Sequence, residues 1–328
     1  MSLGITGAGM VTMMTSILES NQGQLTTLGE ELSSGQKSQT LSGYGENAQQ
    51  LLNLNSSIAA ANAYVGSATT VSTDLSAYND ALGELVSDAT QLSQGITSLT
   101  DNSSGTSAAS FSALVSGLAT DATTTLNTQS GTRYLFAGTR YTTAPVDAIG
   151  SLPGLTSPTA FTAVTAPALP DYDTDYASSP GGDAAAWGSP TVTIAAGETI
   201  SYGISSNNPA IQQLVYSLQN AQAATTASEP DRTQYLNLAQ NAAQQALSGL
   251  QSLQAGNAAN ISQVNTVQTA QKQSVSTLTN MLDGIQGVDT TQLSAQISSL
   301  QTQMEASYKV TSSLLSLSLV NYLGSTTG

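Results

Sequence analysis

Apolar residues in the first hundred positions recur at alternating steps of three and four, and this periodicity constrains the fold more than any other feature of the chain. Val11, Met14, Leu18, Asn21, Leu25, Leu28 and Leu32 form one such seam, the heptad spacing that keeps one face of a helix against a partner. Asn21 is its single polar member; a buried Asn fixes register, and an exposed one simply faces solvent. Ser33, Ser34 and Gly35 interrupt the pattern. A second seam runs Leu51, Leu54, Ile58, Ala61, Val65, Ala68, then Val71, Leu75, Tyr78, Leu82, Leu85, Ala89, Leu92, Ile96, Leu99. The extra three-residue step from Ala68 to Val71 is a stammer that overwinds a supercoil locally. This seam predicts a helix of roughly 50 residues, about 75 Å long, against a usual length of about 11 to 12 residues.

The remainder extends the pattern. Residues 101–105 read as a turn, and Phe111, Leu114, Leu118, Ala122 and Leu126 as a third helix. Ile211, Leu214, Val215 and Leu218 open another helix, and the pattern continues from Leu236 to Leu282, with Gly284 and Gly287 expected to end it. Asp289 followed by Gln292 reads as a capping box for a last helix carrying Leu293, Ile297, Leu300, Met304, Leu314, Leu317 and Leu319. The middle differs. Seven of the nine prolines lie between Pro145 and Pro190. Val192 and Ile194, then Ile200, Tyr202 and Ile204, alternate as in strands, with Gly197 in the turn between them. The expected fold is mainly α: a long antiparallel helical rod or coiled coil built from both chain ends, with a small β-rich or irregular central insert. The expected domains are a terminal core (1–39 and 286–328), a helical rod domain (40–139 and 207–285) and a surface-exposed insert (140–206).

Composition narrows the chemistry. The 328 residues include 6 basic and 21 acidic ones, a net charge of −15, and neither Cys nor His. A zinc finger, a thiol nucleophile and a Ser-His-Asp triad are thereby excluded, and so few cations cannot form a phosphate-neutralising stripe, so no nucleic-acid partner is expected. No apolar run reaches the about 18 residues of a membrane span, so no membrane insertion is expected. The alternating Asp171, Asp173 and Asp175 imitate the start of a calcium loop, but Tyr176 stands where glycine is needed and Gly182 where the bidentate glutamate is needed. No catalytic, cofactor or metal set is singled out. The expectation is a non-enzyme without cofactor, whose low-charge apolar seams call for self-association; the self-assembly residues are Val11, Met14, Leu18, Leu25, Leu28, Leu32, Leu300, Met304, Leu314, Leu317 and Leu319.

Four segments resemble the bacterial flagellin family, which includes flagellin and the hook–filament junction protein (hook-associated protein 3). They are QLTTLGEELSSG at 24–35, GTRYLFAGTRYTTAPV at 131–146, residues 197–214 running through YGISSNNPAIQQL, and EASYKVTSSLLSLSLVNYL at 305–323. Residues 36–45, QKSQTLSGYG, depart from the enterobacterial pattern and look like an alphaproteobacterial subgroup in which flagellins and junction proteins resemble one another. The resemblance implies terminal helices paired inside a helical filament, an outward-projecting insert and polymerisation without an active site. It also implies hook-associated and capping proteins and an export chaperone as partners, and an extracellular fate through the flagellar type III apparatus without a cleaved signal peptide. Flagellin leads; the junction protein is the alternative, and a type III secretion tip or translocator-like coiled-coil protein the distant one.

Overall fold

The computed structural model describes residues 7–101, 107–146, 148–149, 158 and 188–325. The turn expected at 101–105 lies almost wholly outside these residues, and the acidic 171–176 segment lies entirely outside them. Among the described residues the fold is mainly α. Six helices, α1 (Gly7–Ser34), α2 (Ala48–Thr100), α3 (Ala108–Leu126), α4 (Pro209–Thr226), α5 (Asp231–Gln286) and α6 (Thr290–Ser325), accompany two small hairpins, β1 (Gln129–Ser130) with β2 (Arg133–Tyr134) and β3 (Thr191–Ala195) with β4 (Glu198–Ser201). The chain forms two compact units, residues 1–60 with 274–328, and residues 61–273.

In the first unit, α1 packs on α6. Gly35 ends α1 at φ +71, and its N–H donates to Glu31 O at 2.8 Å; only glycine adopts this left-handed cap without strain. The two linkers that follow α1 and precede α6 then pair. Gln36 bridges Gly287, Lys37 N donates to Gln286 O at 2.8 Å, Val288 N donates to Gly35 O at 3.2 Å, and Lys37 Nζ donates to Ile285 O at 3.1 Å. The Asp289 carboxylate accepts from Thr291 N and Gln292 N at 2.9 and 3.1 Å, satisfying two amides that the start of α6 leaves open. One boundary differs from expectation: α5 passes through Gly284 and ends at Gln286. A single glycine costs a helix only about 1 kcal/mol, too little to stop one of 56 residues.

In the second unit, the α2 seam points inward as its spacing predicts. Tyr78, Leu82, Leu85, Leu92 and Ile96 are buried with Phe111 and Leu118 of α3, Ile211 and Leu214 of α4, and Leu236 and Leu250 of α5. A smaller cluster joins Ala68, Val71 and Leu75 to Val264 of α5 and to Ile194, Ile200 and Tyr202. The β3–β4 hairpin therefore buries one face on the helices. Gly197 occupies its turn at φ +74, and Val192 pairs with Ile200. Residues 147, 150–157 and 159–187 of the expected insert lie outside the described ones.

Candidate assembly surface

The residues expected to mediate self-assembly lie on α1 and α6, and they are unevenly covered. Leu18 and Leu300 are buried, joined by Leu293. Met14, Leu25, Leu28 and Met304 are half-buried, and Leu32 is 39% exposed. The side chains of Val11, Leu314, Leu317 and Leu319 lie outside the described residues. Asn21 is half-buried. A cavity of about 620 Å³ opens between the helices, with Leu28 and Leu300 in its wall beside Gly23, Thr27, Gln296 and Gln303. The pairing of α1 with α6 thus leaves apolar surface uncovered within the chain.

A heptad reading missed several exposed apolar residues. Met13 is 64% and Ile17 40% exposed on α1; Tyr308 is 49% and Val310 47% exposed on α6. Met13 and Ile17 are four residues apart, so they share a face; this spacing is the signal that could have found them. Tyr308 and Val310, two residues apart, lie on different faces of α6, so the shared exposed apolar face is that of Met13 and Ile17. A hydrogen bond from Gln22 Nε2 to Tyr308 Oη at 2.9 Å registers the two helices. Charge is sparse here, with Glu19, Glu30, Glu31, Glu305 and Lys309 spread over both helices.

The two central segments singled out in the sequence, 131–146 and 197–214, converge in the second unit. Phe136 meets the Tyr78 ring edge-on at 5.3 Å, the Tyr78 hydroxyl donates to Leu135 O, and Ser206 N donates to Phe136 O at 2.9 Å. Burial drives the Tyr78 phenol well above its ordinary pKa and raises that of Tyr202 as well, with the nearby Asp74 charge adding to both. Buried Asp74 accepts from Ser130 Oγ at 2.7 Å and from Tyr202 Oη at 3.3 Å. The Arg133 guanidinium lies 4.1 Å from the Tyr141 ring centroid, a cation–π contact. Asn127 holds Val146 by both backbone groups, at 2.7 and 3.2 Å. These contacts join the two segments to each other and to α2 and α3. Asp74 was not foreseen, because a single Asp in a helical pattern gives no signal of its partners.

The comparisons with known proteins follow this geometry. No protein-family model matches the sequence, and no curated protein sequence matches it. Among solved structures the chain is similar to one described as a "putative flagellar hook-associated protein" from Vibrio parahaemolyticus, at 14% identity and a TM-score of 0.54, covering 75% of this chain and 100% of that chain. At that identity the likeness is one of fold.

Proposed function

We propose that this chain is a structural subunit of the bacterial flagellum that acts by polymerising, with α1 and α6 as the principal subunit contacts. The observation that carries the reading is the half-covered apolar seam of the α1–α6 pair: neighbouring copies laid alongside would bury Leu25, Leu28, Leu32, Met13 and Ile17. The four sequence segments and the fold shared with the Vibrio protein support it. Low charge fits the same role, because identical subunits packed side by side repel less when few like charges face each other. In this reading the protein has no catalytic centre and needs no cofactor. Its partners are further copies of itself, hook-associated and capping proteins and an export chaperone, and it leaves the cell by the flagellar export apparatus.

Within that role the leading assignment is filament flagellin. The hook–filament junction protein is the second reading, favoured by the hook-associated description of the structural neighbour. Electron microscopy and gel analysis of filaments sheared from cells separate the two. Flagellin gives the dominant band; a junction protein gives a trace band confined to filament bases. Absence from sheared flagella overturns both.

A further inference from the structure

We propose that the groove between α1 and α6 receives Met13 and Ile17 of a second copy of this chain, so that subunits join head to tail. The inference rests on the polymerising role proposed above and names the segment that each copy offers the next. The groove has a volume of about 620 Å³; its walls include Gly23, Thr27 and Leu28 of α1 and Ser299 and Leu300 of α6, and none of its lining residues is charged. Gly23 and Thr27 are exposed and Leu28 is half-buried. A Cβ built on Gly23 would meet nothing within 4 Å, so a group from outside the chain can approach the α1 backbone closely there.

The chain itself holds a matching occupant. An uncharged groove with Leu28 and Leu300 in its wall accepts an uncharged apolar segment, because a charge buried there without a counter-charge is costly. Among the exposed large apolar side chains of the described residues, only Met13 and Ile17 stand four apart on one helix. No charged residue occurs around them from Gly7 to Leu18. The other exposed ones stand singly or beside charge: Leu32 follows Glu30 and Glu31, Met281 lies close to Asp283, and Tyr308 and Val310 flank Lys309. Methionine is unbranched and adapts to an irregular groove.

This pair cannot enter its own groove. Gly23 lies six residues beyond Ile17, about 9 Å along the helix axis, and α1 runs from Gly7 to Ser34 as one helix. Each copy therefore carries an apolar knob and an apolar groove at different places on α1. When the knob of one copy enters the groove of the next, the first keeps an open groove and the second an open knob. Such a heterologous contact propagates.

The test uses the full-length chain, seeded to grow filaments. The sequence contains no cysteine, so Ile17→Cys combined with Thr27→Cys introduces its only thiols. Ten residues apart on one helix, the two positions are separated by about 15 Å, beyond the reach of a disulfide within the chain. Mild oxidation of the filaments is expected to give a ladder of covalent dimers, trimers and higher oligomers on a non-reducing denaturing gel, whereas either cysteine alone leaves monomers. In a second arm, Gly23→Met fills the groove without a clash inside the subunit and is expected to raise the critical concentration for elongation roughly tenfold or more. Gly29→Met, at an equally open position of α1 outside the groove, should elongate as the parent does. Covalent dimers alone would mean a reciprocal two-fold contact and overturn the head-to-tail arrangement. Filaments without crosslinks, or parent-like elongation of folded Gly23→Met, would overturn the proposal and leave the polymerising role intact; a parent chain that forms no filaments would overturn both.

Discussion

Folding moves the Asp88 carboxyl from the ordinary 3.8 to about 7, because burial and the charges of Asp121 and Glu84 disfavour its ionised form. Between these values the folded chain keeps a proton that the unfolded chain has lost. The stability this group contributes is therefore complete below about pH 4, falls as pH rises and is gone above about 7. Asp88→Asn should remove that slope and be more stable than the parent at pH 8, by an amount on the order of 2 kcal/mol, and by far less at pH 4. Urea unfolding at both values measures it; equal differences at the two pH values would contradict the assignment. Asp74 represents the opposite case, since its two hydroxyl donors compensate its burial. Asp74→Ala should cost about 1–3 kcal/mol, whereas Tyr202→Phe, which leaves Ser130 in place, should cost less; thermal unfolding of both variants checks the order. Neutral donors replace ion pairs elsewhere too. Asn257 Nδ2 donates to Leu75 O at 2.7 Å, Ser217 Oγ to Ala239 O at 2.7 Å, and Gln240 Nε2 to Ser93 Oγ at 2.8 Å. In a chain with 8% charged residues, amides and hydroxyls fix helix register.

Helix α5 carries two glycines that should respond oppositely to substitution. A Cβ at Gly249 would lie 2.6 Å from Ala210 Cβ of α4, whereas one at Gly256 would meet nothing within 4 Å. Gly249→Ala must push α4 and α5 apart, so it should lower stability by about 1–3 kcal/mol despite its better helix propensity. Gly256→Ala should raise stability by roughly 0.5–1 kcal/mol. Differential scanning calorimetry of both variants decides, and matching signs would refute the close-packing account. The helices themselves were legible in the sequence because their seams are long and their periods regular: α2 and α3 cover their predicted seams, and the hairpin turns at Gly197 as its alternation requires. Gly284 was misread as a stop because local propensity was weighed without the length of the helix around it. The convergence of 131–146 with 197–214 was not legible as a contact, nor was the burial of Asp88 near Asp121 of α3, since each depends on which helix faces lie together and a seam reports only one face.

Across the whole molecule, apolar burial is concentrated in residues 61–273, while among the described residues α1 and α6 bury only Leu18, Leu293 and Leu300. Helices with so few buried contacts open locally at little cost. Amide exchange in the free subunit should therefore be fast along α1 and α6 and slow along α3, α4 and the adjoining parts of α2 and α5. In polymer, the terminal helices should become protected; unchanged exchange on assembly would place the subunit contacts elsewhere. The central claim is that the α1–α6 seam drives polymerisation, and Leu25→Asp combined with Leu28→Asp tests it most directly. Purified parent protein and double variant are seeded under the same conditions and followed by sedimentation and electron microscopy, with circular dichroism verifying that the 61–273 helices remain folded. The account predicts filaments from the parent and soluble monomers from the folded double variant; normal filaments from the double variant would contradict it.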